Sequence, residues 1–110
     1  MAKVLVIDDD KMFVNIMAHT LRKHGHDVDV ALDGQAGEAA FDAGSYDCVV
    51  CDLVMPNQEG LETIRHMRRE RPAVAIVAVS GGLGPMAKFD VLKAAKQFGA
   101  HICLKKQASA

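Results

Sequence analysis

Short apolar runs alternate along this chain with segments in which apolar residues recur every three or four positions. The short runs predict five β-strands, over residues 3–7, 27–31, 47–51, 74–79 and 101–104. The intervening segments predict four helices. Strands that alternate with helices pair in parallel through right-handed crossovers, because a tight turn cannot join parallel neighbours. The pattern therefore predicts an α/β fold built on an open, doubly wound, parallel five-stranded sheet.

Each predicted helix has an apolar stripe that should face the sheet, and a glycine or proline follows it. The strand at 27–31 alternates polar and apolar residues, which predicts an edge strand, whereas the other strands read as buried on both faces. The four stripes comprise Phe13, Ile16, Met17 and Leu21; Ala36, Ala39, Ala40 and Phe41; Leu61, Ile64 and Met67; and Phe89, Leu92, Ala95 and Phe98.

The chain after the fifth predicted strand is too short for another helix. Residues 107–110 are all that remains beyond the lysine pair that follows this strand, and four residues do not form a stable helix. We therefore expect the fifth helix to be missing. One face of the sheet near the last strand would then be uncovered, unless a partner such as a second copy in a homodimer, or further chain, covers it.

Composition narrows the class of protein. The 110 residues, 50% hydrophobic and 25% charged, fit one domain over residues 1–110. The net charge of -1 comes from interspersed charges without a basic stripe, which disfavours nucleic acid as a partner. Three cysteines do not form a disulfide framework, and the apolar run near the N-terminus is too short to cross a membrane. We expect a cytoplasmic protein without a membrane partner.

Polar residues end four of the five strands. Asp8, Asp9 and Asp10 follow the first strand, Asp52 the third, Ser80 the fourth and a lysine pair the fifth. In open α/β sheets, sites form at the carboxyl ends of the strands. Converging carboxylates repel one another, and a hard divalent cation relieves this, so the set predicts a Mg²⁺ site. The triplet alone is equally consistent with a turn in which Asp10 caps the first helix.

These residue types suit phosphoryl transfer. A cation beside Asp52 would keep that carboxylate ionised and able to attack phosphorus. The hydroxyl of Ser80 and a lysine amine would hold the phosphoryl oxygens. Cys48 and Cys51 have the spacing of a redox or zinc pair, but residues three apart in a strand point to opposite faces. We therefore expect both cysteines to be core residues.

The chain resembles the receiver domains of two-component response regulators over essentially its whole length. "VLVIDDD" resembles the family's first strand, with Asp8 and Asp9 as its acidic pair. "CDLVMPNQEG" resembles the family's D-x-x-M-P-x-x-x-G segment, with Asp52 as phosphoacceptor. Ser80 and, within "GAHICLKKQ", Lys106 match the family's hydroxyl residue and lysine. The resemblance implies a flavodoxin-like sheet of strand order 2-1-3-4-5.

The resemblance also implies a role for each of these residues. Asp52 would take a phosphoryl group from the phosphohistidine of a histidine kinase or histidine phosphotransferase. Asp9, Asp52 and the carbonyl of Val54 would bind Mg²⁺ directly, and Asp8 through water, while Ser80 and Lys106 would bind the acyl phosphate. The domain would then be a switch that signals to a downstream protein target, and not an enzyme with a turnover substrate.

Two substitutions depart from the family pattern, and two other functions stay open. Gln107 replaces the proline that usually follows the lysine, and Cys103 replaces an aromatic residue linked to output. These changes, with the missing helix, also suit an unphosphorylated dimerisation or interaction module. A small Mg²⁺-dependent phosphohydrolase is the second alternative, but it would need a general base two residues after Asp52, where Val54 stands.

Overall fold

The computed structural model describes residues 2–53, 60–80 and 102–105, with Ser80 and the last segment described as main chain only. The predicted fourth helix and the question of a fifth lie outside these residues. None of the described helices is long and apolar enough to span a bilayer. The strands are β1 (Lys3–Ile7), β2 (Asp27–Ala31), β3 (Cys48–Asp52), β4 (Ala75–Ser80) and β5 (Ile102–Lys105), and the helices are α1 (Lys11–Lys23), α2 (Gly34–Ala43) and α3 (Gly60–Glu70).

The strands form one parallel sheet in the order β2-β1-β3-β4-β5. This confirms the predicted fold class and the position of β2 at an edge. Because Ile7 pairs with Cys51 and Asp52 pairs with Val79, the carboxyl ends of β1, β3 and β4 lie side by side. Strands β3, β4 and β5 each begin and end one residue later than predicted, so Asp52 is the last residue of β3 and does not follow it.

The two faces of the sheet bury separate apolar clusters. Helices α2 and α3 cover the face that contains Leu5, Ile7, Val49 and Cys51. Helix α1 covers the opposite face, where Cys48 is partly buried. The two cysteines therefore lie on opposite faces, as their spacing predicted.

Helix α1 begins as predicted, and three of its four predicted stripe residues are partly buried against the sheet. Asp10 caps it, and its side chain accepts hydrogen bonds from the amides of Met12 and Phe13 at 3.0 and 3.2 Å. The buried residues are Val14 and Ala18. The prediction for Ile16 is wrong, since this residue is 61% exposed.

Helix α2 packs on the sheet through the predicted residues Phe41 and, in part, Ala40, and also through Gly37, which lies outside the predicted stripe. Ala36 and Ala39 are exposed, whereas Gly37 and Phe41 are buried. A Cβ at Gly37 would lie 2.6 Å from Cδ1 of Ile7, so the helix lies directly against the residue that precedes Asp8.

Helix α3 buries the predicted residues Ile64 and Met67, with Leu61 partly buried.

Candidate functional site

Three carboxylates meet at the carboxyl end of the sheet. Asp8 and Asp9 come from the end of β1, and Asp52 is the last residue of β3. One oxygen from each side chain lies within 4.8 Å of an oxygen of the other two. The adjacent positions of β1 and β3 in the sheet produce this convergence, which the chain order alone does not reveal.

The turn after β1 fixes Asp8 inside the protein and leaves Asp9 at the surface. The amide of Asp8 donates to the carbonyl of Ala31 in β2 at 3.0 Å, which extends the sheet hydrogen bonding past Ile7. The Oδ1 atom of Asp8 accepts a hydrogen bond from the amide of Asp10 at 3.0 Å. Asp8 is fully buried and Asp9 is exposed. The cluster therefore contains one carboxylate that is fixed inside the protein, Asp8, and one that solvent can reach, Asp9.

Asp52 is held in place by main-chain pairing with β4. It is 3% exposed and pairs with Val79, and the next amide, of Leu53, donates to the Val79 carbonyl at 2.9 Å. The thiol of Cys51 donates to the Asp52 carbonyl at 3.4 Å. Burial, and then the charges of Asp52 and Asp8, raise the pKa of Cys51, so this thiol stays protonated beside the carboxylates.

Gly60 packs against the main chain at Asp52. Its amide donates to the carbonyl of Leu53 at 3.3 Å. A Cβ at this position would overlap the carbonyl oxygen of Asp52 and would lie 2.6 Å from Cα of Leu53. Only glycine fits here without a shift of main chain, so the first residue of α3 packs directly against the last residue of β3. The family motif has a glycine at position 60, but the motif alone does not predict this contact.

The remaining predicted site residues are only partly described. The main chain of Ser80 ends β4 and pairs with Lys105 of β5, so this end of both strands lies at the same edge as the carboxylates. The side chains of these two residues are not described. Val54 and Lys106 lie outside the described residues.

The three carboxylates fit a hard divalent cation. The donor set consists of oxygen atoms only, which suits Mg²⁺ and disfavours metals that prefer nitrogen or sulfur. Carboxylates this close repel one another, and a cation relieves that repulsion. The exposed position of Asp9 leaves room for the waters that Mg²⁺ usually retains.

Comparison with known proteins identifies the family. The model of the response regulator receiver domain matches residues 4–110. The transcriptional regulatory protein TcrA of Mycobacterium tuberculosis is 38% identical over 69 residues, which cover 63% of this chain and 27% of that protein. The response regulator ArlR of Staphylococcus saprophyticus is 30% identical over 92 residues, which cover 82% of this chain and 42% of that protein.

A solved structure agrees with this family. A response regulator from Burkholderia pseudomallei, crystallised with a phosphorylated aspartic acid, a calcium ion and citrate, is 25% identical to this chain. It superposes with a TM-score of 0.87, over 99% of this chain and 62% of that one.

The chain belongs to the response regulator receiver domain family, whose members accept phosphoryl groups in two-component signalling. It spans less than half the length of the two curated relatives named above, 27% and 42% respectively.

Proposed function

We propose that Asp52 is the phosphoacceptor of this receiver domain and takes its phosphoryl group from a histidine kinase or histidine phosphotransferase. The observation that carries the proposal is the convergence of Asp8, Asp9 and Asp52 within 4.8 Å. Asp52 is the member that the sheet hydrogen bonds hold most firmly, since it lies within a strand. A rigid nucleophile with neighbouring metal ligands suits phosphoryl transfer, which depends on positioning and charge neutralisation.

The transfer consists of one displacement at phosphorus. An oxygen of the Asp52 carboxylate attacks the phosphorus of the donor's phosphohistidine, the P–N bond breaks, and the imidazole leaves with the electron pair. The product is an acyl phosphate on Asp52. Hydrolysis reverses the modification, because water attacks the same phosphorus and releases inorganic phosphate and the free carboxylate. The domain is therefore a switch with a limited lifetime, and no turnover substrate is required.

Asp8, Asp9 and Asp52 would hold Mg²⁺, with the carbonyl of Val54 as a further ligand. The cation would supply neutralisation of the charge on the transferring phosphoryl oxygens. Asp9 would bind it directly and Asp8 through water, as in the family pattern. The hydroxyl of Ser80 and the amine of Lys106 would bind the phosphoryl oxygens and respond to phosphorylation.

The first turns of α1 would contact the protein that donates the phosphoryl group. Met12 is 71% exposed and Ile16 is 61% exposed, and they lie one turn apart on the outer face of α1. This helix starts next to the carboxylates, so a protein that brings a phosphohistidine to Asp52 must approach this end of α1. Exposed large apolar residues at such a place favour association.

Output would take the form of a changed affinity for a downstream protein target. Phosphorylation would bias an equilibrium between two conformations through differential contacts with the phosphoryl group. We also propose that residues 1–110 form one receiver domain and that the protein is cytoplasmic, in keeping with free thiols at Cys48 and Cys51.

Phosphoryl labelling tests the assignment. Purified protein is incubated with a small acyl phosphate, with and without Mg²⁺, and the added mass is measured. We expect labelling that needs Mg²⁺ and is lost in Asp52→Asn, while Asp27→Asn, which removes an exposed carboxylate of β2, still labels. Labelling that persists in Asp52→Asn would place the acceptor elsewhere. Absence of labelling in the unmodified protein would favour the unphosphorylated interaction module, and many turnovers on free phosphomonoesters would favour the phosphohydrolase.

A further inference from the structure

A second polar cluster joins α2 to α3 away from the acidic site. The ring of His66 lies between two carboxylates of α2: Nε2 is 2.9 Å from Oδ1 and 3.1 Å from Oδ2 of Asp42, and Nδ1 is 3.5 Å from Oε1 of Glu38. The hydroxyl of Thr63, which is fully buried, donates to Oε2 of Glu38 at 3.4 Å. We call these four residues (Glu38, Asp42, Thr63 and His66) the α2–α3 clasp.

The number of protons on the ring of His66 determines how well the clasp is satisfied: Nε2 is at hydrogen-bond distance from Asp42, and Nδ1 faces Glu38 at ion-pair distance. A neutral imidazole has one N–H donor and one acceptor nitrogen, whereas an ionised carboxylate only accepts. Since both ring nitrogens face carboxylate oxygens, the neutral ring can donate to one of them and turns a lone pair toward the other. The doubly protonated ring can donate to both and adds charge attraction. We propose that the α2–α3 clasp is tight when His66 is protonated and loosens when His66 is neutral.

The surroundings of His66 agree with a proton-dependent contact. Besides Glu38 and His66, the groove of about 300 Å³ beside the clasp is lined by Glu62, Arg65 and Arg69 of α3. Together with Asp42, the charged groups around the ring comprise three carboxylates and two guanidinium groups. The side chain of His66 is 21% exposed, so solvent protons reach it while its contacts stay partly shielded.

The clasp connects α2 and α3, which pack against β1 and β3, the strands whose ends carry the three carboxylates. Helix α3 starts at Gly60, which lies on the main chain of Asp52. In α2, Gly37 precedes Glu38 and lies against Ile7, the residue before Asp8. A change in the contacts between α2 and α3 should therefore alter the packing of Gly60 on Asp52. This inference concerns the folded protein itself and does not depend on phosphorylation of Asp52.

A double-mutant cycle tests the clasp. Unfolding by denaturant is measured for the unmodified protein, His66→Gln, Asp42→Asn and the double variant at about pH 5.5 and about pH 8, where carboxylates with ordinary pKa values stay ionised. We expect coupling between the two positions to change the unfolding equilibrium constant by about threefold or more at the lower pH, and by little at the higher pH. Equal coupling at the two pH values would overturn the proposal. His19→Gln, an exposed histidine of α1, is the control and should show no coupling to Asp42→Asn.

A spectroscopic measurement tests the connection to the acceptor strand. We expect the amide signal of Gly60 to shift between these pH values together with the ring signals of His66, and to stop doing so in His66→Gln. A Gly60 amide signal that does not change with the protonation of His66 would contradict a connection between the clasp and Asp52. If His66→Gln fails to fold, Asp42→Asn decides alone: it should be less stable than the unmodified protein at the lower pH only, and an equal loss at both pH values would overturn the clasp.

Discussion

Gly60 lies on the carbonyl of Asp52, so the first residue of α3 and the last residue of β3 are in direct main-chain contact. The hydrogen bond from the Gly60 amide to the Leu53 carbonyl, at 3.3 Å, closes the same contact. Any side chain at position 60 must displace main chain beside the proposed phosphoacceptor. The packing of α3 and the position of Asp52 are therefore determined together.

Replacement of Gly60 by alanine should destabilise the protein. At most helical positions a change from glycine to alanine stabilises by up to about 1 kcal/mol, but here the added methyl group overlaps main chain and should cost about 1 to 3 kcal/mol. Denaturant unfolding measures the loss, and phosphoryl labelling should slow as well. Ala39→Gly, at an exposed position of α2, is the control: there the exchange should follow helix propensity alone, with glycine less stable than alanine by up to about 1 kcal/mol. A Gly60→Ala protein as stable as the original would contradict the contact.

Much of the sheet was predictable from residue types. The bounds of β1 and β2 agree with the prediction: Asp8 ends the apolar run of β1, and β2 covers an alternation of polar and apolar residues. At β3 the polar side chain of Asp52 predicts a strand that ends at Cys51, although the main chain of Asp52 continues the ladder opposite Val79. Side-chain polarity and main-chain pairing are independent at that position.

The helix faces were harder to predict, because apolar spacing does not distinguish a buried face from an exposed apolar one. In α1 the small residue Ala18 lies inside and the larger Ile16 lies outside. In α2 the closest approach to the sheet uses Gly37, which has no side chain for a hydrophobicity pattern to register. The convergence of Asp8, Asp9 and Asp52 could be expected from topology, whereas the contacts of His66 join two helices and leave no local signal.

Loss of one carboxylate should have opposite effects with and without magnesium. Without Mg²⁺, Asp52→Asn should stabilise the protein by on the order of 1 kcal/mol, since it removes repulsion among carboxylates within 4.8 Å. Mg²⁺ at a hundred times its dissociation constant should stabilise the unmodified protein by about 2.7 kcal/mol and the variant by much less. Thermal unfolding with and without Mg²⁺ measures both effects.

Glu62→Gln, at an exposed position of α3, provides the control for charge in this experiment. Glu62→Gln should change the stability without Mg²⁺ much less than Asp52→Asn does. It should also leave the stabilisation by Mg²⁺ close to that of the unmodified protein. An equal gain from Mg²⁺ in the unmodified protein and in Asp52→Asn would show that the cation binds elsewhere.

Exposed apolar residues of α1 should matter for a protein donor and not for a small one. In Ile16→Glu, docking of the donor protein would bury a charge at the interface, which opposes binding. Phosphoryl transfer from a donor protein should therefore slow by about tenfold, which corresponds to about 1.4 kcal/mol of binding free energy. Labelling by a small acyl phosphate should be unchanged, because the carboxylates are untouched. Asn15→Ala, an exposed neighbour, is the control. Equal slowing with both kinds of donor would indicate damage to the site and contradict a docking role.

The single tyrosine gives a test at alkaline pH. Burial, and then the hydrogen bond that the Tyr46 hydroxyl donates to Asp29 at 2.6 Å, raise the pKa of Tyr46 from 10.0 to about 12. The folded protein therefore keeps a proton that the unfolded chain loses. The resulting stabilisation is complete below about pH 10 and disappears as the pH rises through about 12.

Absorbance of tyrosinate measures this titration directly, because no other tyrosine is present in the chain. We expect a midpoint near 12 in the folded protein and near 10 in denaturant. Asp29→Asn should lower the folded midpoint, since it removes the charge that disfavours tyrosinate while an amide oxygen can still accept the hydrogen bond. A folded protein whose tyrosine titrates as in denaturant would contradict the buried, hydrogen-bonded position of Tyr46 at the edge of the sheet.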